Sequence, residues 1–153
     1  MSTMQLRFLK AIGESSFWKR AGRLHTKLYR ATGGRIGHNA GQITNLLLTT
    51  HGRKSGELRT VPLAYLQDGD SYVVVASNGG ADRHPAWWLN LQKEPSATVE
   101  LGTRKLAVRA GLATPQERKQ LWPKLTEINP FYGRYEQITQ RTIPVVILRP
   151  KNW

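Results

Sequence analysis

The sequence predicts a mainly β, α+β protein: a small closed or nearly closed β-barrel decorated by helices. Three observations carry that prediction. Short apolar runs recur between turn residues, hairpin signals join successive runs, and few segments show helical periodicity. A length of 153 residues suits one ordinary domain, enough for a core burying roughly two thirds of the unfolded surface. With 39% hydrophobic and 22% charged residues, the composition is that of a folded chain rather than a disordered one.

The first periodic segment is helical. Phe17, Ala21, Leu24 and Leu28 fall at i, i+4, i+7 and i+11, with Lys19, Arg20, Arg23, Lys27 and Arg30 around the other faces. Gly33, Gly34 and Gly37 break that pattern, which puts a boundary near Gly41 between a basic amphipathic arm (1–41) and a body (42–153). The body opens with strands over Ile43–Thr50 and Leu58–Leu66, joined by the polar loop His51–Gly56. Asp68-Gly69 marks a tight hairpin, because Gly takes the positive φ of a primed turn, and a Val-rich strand follows over Ser71–Ala76. Gly79-Gly80 ends it, and His84–Lys93 reads as a short helix with Pro85 in its first turn, stopped by Pro95. Ala97–Leu101 and Lys105–Ala110 form another hairpin around Gly102-Thr103. Thr114-Pro-Gln-Glu117 is a capping box, so a helix starts there, runs through Leu121 and bends near Pro123. An aromatic helical segment over Pro130–Gln140 and a strand over Ile143–Leu148 complete the chain.

Charge is the unusual feature of the composition. The 23 Lys and Arg against 10 Asp and Glu give +13, and residues 1–41 hold eight of those cations with Glu14 alone to oppose them. Such a field favours an anionic partner, whether nucleic acid, a membrane surface or a polyanionic small molecule. The absence of Cys excludes disulfides, thiolate metal sites and cysteine nucleophiles. His25, His38, His51 and His84 lack metal-site spacing, and Ser55 lies outside any nucleophile elbow, so neither a metal nor a hydrolytic centre is read. No run reaches the 18 or more apolar residues of a membrane span, and no signal peptide is recognised, which places the chain in the cytoplasm.

Two segments carry candidate chemistry. In Gly52-Arg53-Lys54-Ser55-Gly56 with Arg59, two glycines let the backbone approach a ligand while three cations and a hydroxyl converge, which suits a phosphate or carboxylate; the plainer reading is a solvated basic hairpin. Ser77-Asn78-Gly79-Gly80-Ala81 leaves a strand towards the Trp87-Trp88 helix, where backbone N–H groups can meet an anion or a ring carbonyl. Trp87 and Trp88 stand about 100° apart on a helix, so they cannot share one direction. Phe131, Tyr132 and Tyr135 offer an aromatic surface suited to a flat conjugated ligand or to packing.

The runs LLLTTHGRKSGELRTVPLAYL, ASNGGADRHPAWWLNLQKEP and RTIPVVILRP closely resemble the actinobacterial deazaflavin (coenzyme F-420)-dependent nitroreductase and quinone reductase family, over about residues 40–150. The resemblance implies a split β-barrel of the flavin-reductase and FMN-binding type. It also implies hydride transfer from the reduced 8-hydroxy-5-deazaflavin to a quinone or nitro-aromatic acceptor. By position, Gly52, Arg53, Lys54, Ser55 and Arg59 would hold the phosphodiester and glutamate tail; Thr60, Val61 and Pro62 would line the ring; Ala76, Ser77, Asn78, Gly79 and Gly80 would meet its edge; and Ala86, Trp87 and Asn90 would close the groove. Tyr132, Tyr135 or Ser77 would donate to the acceptor as it gains charge. Asn78 stands where the family commonly has Lys, which implies a weaker hold on the tail. Asn129 replaces a third tyrosine of nitroimidazole-reducing relatives, which argues against bulky nitroimidazoles.

On the same resemblance, the arm would lie on the anionic inner face of the cell membrane and bring the enzyme to a lipid-soluble quinone, or simply cap the barrel mouth. Monomer and homodimer both fit. Competing readings are an FMN-dependent oxidoreductase, whose compact phosphate leaves the outer cations unexplained, a non-catalytic deazaflavin carrier, and a nucleic-acid-binding module. The last lacks any recognised motif.

Overall fold

A computed structural model of the protein describes residues 16–32, 39–40 and 43–151, with the side chains of residues 16–22, 39–40 and 43 outside that description. The expected features at Phe17, Ala21, Gly33, Gly34, Gly37 and Gly41 therefore lie outside the described residues in whole or in side chain. In chain order the elements are α1 (Ser16–Ala31), β1 (Asn39–Ala40), β2 (Ile43–His51), β3 (Leu58–Ala64), β4 (Leu66–Asp68) and β5 (Ser71–Val75), then α2 (Ala86–Lys93), β6 (Ser96–Leu101), β7 (Arg104–Leu112), α3 (Pro115–Ile128), α4 (Phe131–Ile138) and β8 (Val145–Pro150).

The strands form one eight-stranded antiparallel sheet in the order β1-β2-β6-β7-β8-β5-β4, with β3 on the other edge of β2. Curvature comes from the segment expected as one strand over Leu58–Leu66. Its first part pairs with β2 from His51↔Leu58 to Asn45↔Ala64, and its second part pairs with β5 at Leu66↔Val73. Tyr65 is the corner between them, its N–H donating to the Thr44 carbonyl at 3.1 Å, so one bent strand brings the two ends of the sheet together. The hairpins fall where the turn residues put them: Gly69 and Gly102 both take positive φ, between Asp68↔Ser71 and Leu101↔Arg104.

Two cores share the sheet. Inside the curl, Leu46, Leu48, Val74, Val99, Val108 and Leu148 pack with Trp87, Trp88 and Leu91 of α2. Both tryptophans are thus buried although they diverge, because α2 is sunk into the barrel end. On the outer face, Val73, Val75, Val145 and Ile147 pack against Leu121 and Leu125 of α3 and Tyr132 of α4. The alternation along β5 and β8 feeds one residue to each core in turn. The capping box at α3 forms as read, Thr114 accepting from the Glu117 N–H at 3.1 Å and Glu117 accepting from the Thr114 N–H at 3.1 Å. That helix continues through Pro123 to Ile128.

Helix α1 lies against β3 and the β6–β7 turn. Tyr29, 1% exposed, places its hydroxyl between the Gly102 N–H, which donates to it at 2.6 Å, and the Glu100 carbonyl, to which it donates at 3.2 Å. Arg30 donates to Thr60 Oγ1 and pairs with Glu100. Leu24 and Leu28, placed by periodicity on an apolar stripe, face solvent at 59% and 40% exposure. The helix is docked by a tyrosine off that stripe.

Candidate functional site

The β2–β3 loop is a hydrogen-bonded turn, exposed from Lys54 to Glu57. Gly52 N–H donates to the Glu57 carbonyl and Gly56 N–H to the Gly52 carbonyl, both at 2.7 Å, and Ser55 Oγ accepts from the Glu57 N–H at 3.1 Å. A Cβ on Gly52 would stand 3.1 Å from both the Glu57 carbonyl oxygen and Ser55 Oγ, so the turn closes around the missing side chain.

Helix α2 fixes this loop to the barrel. The buried Asn90 amide donates to Thr50 Oγ1 at 3.0 Å and accepts from the Arg53 N–H at 3.1 Å, while Lys93 Nζ donates to the Arg53 carbonyl at 2.6 Å. The Arg53 and Lys54 side chains are left projecting. Among the described residues neither makes an ion pair, whereas Arg59 pairs with exposed Glu57 at 3.2 Å, a contact worth little.

Together these elements bound an open groove of about 850 Å³. Its floor and rim come from Gly52, Arg53, Lys54 and Ser55 of the loop, Arg59, Thr60, Val61 and Pro62 of β3, and Ala86, Trp87 and Asn90 of α2. The backbone thus gathers eleven of the sixteen residues expected around the cofactor into one depression. It also adds Thr50, Leu58, Arg23 and His25, which the sequence did not suggest. Thr50 ends an apolar strand with nothing local to mark it. Arg23 and His25 arrive only because Tyr29 docks α1, a contact some seventy residues apart in sequence.

Ala76, Ser77, Asn78, Gly79 and Gly80 do not line this groove. They form a turn with three successive positive φ values, 49°, 63° and 82° at Asn78, Gly79 and Gly80, packed on α4. A Cβ on Gly80 would lie 2.8 Å from Ile138 Cδ1 and 3.0 Å from Tyr135 Cδ1, so only glycine lets helix and turn approach. Asn78, where a cation would be usual, donates its amide to the Arg83 carbonyl at 3.1 Å and closes the loop on itself. Tyr132, 7% exposed, belongs to the outer core with Asn129 as its side-chain partner. Burial raises the pKa values of both Tyr132 and Tyr135 above the ordinary phenol value, so both hydroxyls stay protonated at neutral pH.

A curled antiparallel half-barrel with a cationic loop beside an apolar wall is the architecture of a split-barrel protein. The family described as F-420-H(2)-dependent quinone reductase matches residues 20–150. A quinone reductase of that description from Mycobacterium tuberculosis is 42% identical over 130 residues, covering 82% of this chain and 87% of the relative. Among solved structures, an F-420-H2-dependent reductase (FDR-A) is 37% identical with a TM-score of 0.64, over 69% of this chain and 93% of its own. A structure described as a domain-swapped dimer is 32% identical with a TM-score of 0.67, over 88% and 98%. The chain belongs to the F-420-H(2)-dependent quinone reductase family. It is an oxidoreductase that uses reduced coenzyme F-420 and acts on quinones; the FMN-dependent, carrier and nucleic-acid readings are not favoured.

The donor set fits that coenzyme. A planar ring can lie on Val61, Pro62 and Trp87, while Arg53, Lys54 and Arg59 stand at one end for a phosphodiester and carboxylates.

Asn90→Ala leaves Thr50 Oγ1 and the Arg53 N–H without their shared partner. The expected cost is about 1–3 kcal/mol of unfolding free energy by urea denaturation, with faster amide exchange at Arg53; a loss under about 0.5 kcal/mol would show that the amide does not hold the loop.

Proposed function

We propose that the groove between the β2–β3 loop, β3 and α2 is where reduced coenzyme F-420 is held, with Gly52, Arg53, Lys54, Ser55 and Arg59 at its phosphate and tail. Thr60, Val61 and Pro62 lie along the ring, and Ala86, Trp87 and Asn90 close the wall. The supporting observation is the juxtaposition of two unpaired cations on a hydrogen-bonded turn with an apolar face in one depression of about 850 Å³. Bound in its reduced form, the coenzyme supplies hydride. The chain's task is to keep donor and acceptor about 3–3.5 Å apart and to place a hydrogen-bond donor where the acceptor oxygen gains charge. Ser77, Tyr135 and Tyr132 are assigned that donor role, and Ala76, Asn78, Gly79 and Gly80 form the main chain that carries Ser77. The phenols serve as donors and not as bases, because burial keeps them protonated.

Nitro-aromatic compounds are a second acceptor class on the same chemistry, since a nitro oxygen gains charge as a quinone oxygen does. Residues 1–41 are read as an arm that rests on an anionic bilayer. The support is the outward-facing pair Leu24 and Leu28, one turn apart, with Arg23 and Lys27 alongside and the docking tyrosine on another face. No helix among the described residues is long and apolar enough to cross a membrane, so this contact would be peripheral.

Three measurements test these assignments. In fluorescence titrations, Arg53→Gln with Lys54→Gln raises the Kd for coenzyme F-420 about tenfold or more in low salt, and leaves the tail-less deazaflavin chromophore within about twofold. Equal loss for both ligands, or preference for FMN, refutes the assignment of the loop. Ser77→Ala, Tyr135→Phe and Tyr132→Phe each lower kcat/KM for menadione about tenfold or more. Changes under twofold for every quinone and nitro compound remove the donor role. On anionic vesicles, Leu24→Glu with Leu28→Glu abolishes most pelleting; equal pelleting of full-length and arm-deleted protein ends the membrane reading.

A further inference from the structure

Arg141 lies in the connection between α4 and β8, and its guanidinium is turned into the protein. Nε donates to the Ala81 carbonyl at 2.9 Å, and Nη2 to the carbonyls of Ala76 and Ser77 at 3.1 and 2.8 Å. Nη1 lies 3.1 Å from His84 Nδ1. A guanidinium cannot accept, so His84 Nδ1 does, and its proton sits on Nε2. Burial and the Arg141 charge both lower the His84 pKa, which keeps that ring a neutral acceptor. One side chain thereby fastens both ends of the segment that leads from β5 into α2.

That segment needs such a fastening. Past Ala76 its carbonyls have no strand N–H to donate to them, only the Gly80 and Ala81 N–H groups at the Ser77 and Asn78 carbonyls, because three successive left-handed residues bend the chain too sharply for ladder pairing. Three carbonyls and a ring nitrogen converging from several directions match a planar fork with fixed spread, and not a single ammonium point. Two residues beyond His84 the chain enters α2, whose Ala86, Trp87 and Asn90 make one wall of the groove.

We propose that Arg141 is a positioning residue for the coenzyme groove: by holding Ala76, Ser77, Ala81 and His84 it sets where α2 leaves the turn, and so where Trp87 and Asn90 stand. This rests on the reading of the groove as the coenzyme site. Arg141 touches no part of that groove itself.

The test compares Arg141→Lys, which keeps the charge and loses the fork, with Leu121→Ala, which weakens the outer core away from the groove. Coenzyme F-420 binding and amide exchange over residues 77–84 are both measured well below the unfolding temperature. Arg141→Lys is expected to raise the Kd about tenfold, to speed exchange in that segment and to lose the wild-type His84 tautomer signal in nitrogen NMR, while Leu121→Ala leaves all three unchanged. If Arg141→Lys does not fold, His84→Ala removes one of the four partners and is expected to raise the Kd about threefold. Equal Kd changes in Arg141→Lys and Leu121→Ala would mean a general loss of stability and overturn the proposal, as would wild-type affinity in Arg141→Lys. Failure of the wild-type protein itself to bind the coenzyme refutes the groove reading and this inference with it; binding by both wild type and variant refutes this inference alone.

Discussion

Strand β2 is hydrogen-bonded along both edges, to β3 over seven residue pairs and also to β1 and β6, and the position of everything around the groove follows from that pairing. Leu46, Leu47 and Leu48 are all fully buried, so the strand is covered on both faces, and its register is marked where polar Thr50 meets Asn90. With the register fixed, Thr50 points at α2 and the chain must reverse at Gly52. The cationic turn is therefore delivered at one height on the barrel. A strand with a free edge could slide, and the loop with it; this one has no such freedom.

Charge is distributed by the same logic. Some cations are matched by ion pairs: Arg149 with Glu117, Arg118 with Glu136, Arg30 with Glu100. Beside the groove, the Arg53 and Lys54 side chains have no such partner among the described residues, and Arg23 enters from α1. Repulsion between such groups costs stability and is retained where an anionic ligand offsets it. Four of the 23 cations are thus gathered at the groove.

Much of this was legible in the sequence because it is encoded locally. The hairpins at Gly69 and Gly102, the capping box at Thr114 and the Gly52–Gly56 turn each depend on residues within a few positions of one another. The break at Tyr65 was not legible: the run from Val61 to Leu66 is apolar throughout, and only the change of partner from β2 to β5 bends the strand. The docking face of α1 was not legible for a related reason. Periodicity selected Leu24 and Leu28, but one tyrosine with two main-chain bonds outweighs an apolar stripe that finds no apolar surface opposite it. Arg141, within a run whose resemblance was noted, carried no signal of its role, since its acceptors are 57 to 65 residues away and three of the four are backbone carbonyls.

Asn90, Tyr29 and Arg141 share one device: each is a side chain from a distant element that satisfies main-chain groups a strand or helix would otherwise have paired. Asn90 holds the Arg53 N–H, Tyr29 the Gly102 N–H and Glu100 carbonyl, Arg141 the carbonyls of the turn before α2. Such ties cost little side-chain freedom when the donor is planar or aromatic, and they fix backbone rather than side-chain position. Hydride transfer tolerates little error in distance, and a misplacement of about 1 Å can cost a hundredfold in rate. A barrel whose strands alone were rigid would leave its loops free by more than that. In this chain the β2–β3 loop and the turn before α2, which no strand ladder reaches, are instead pinned through their own amides and carbonyls, so the precision of the sheet extends to the residues around the groove.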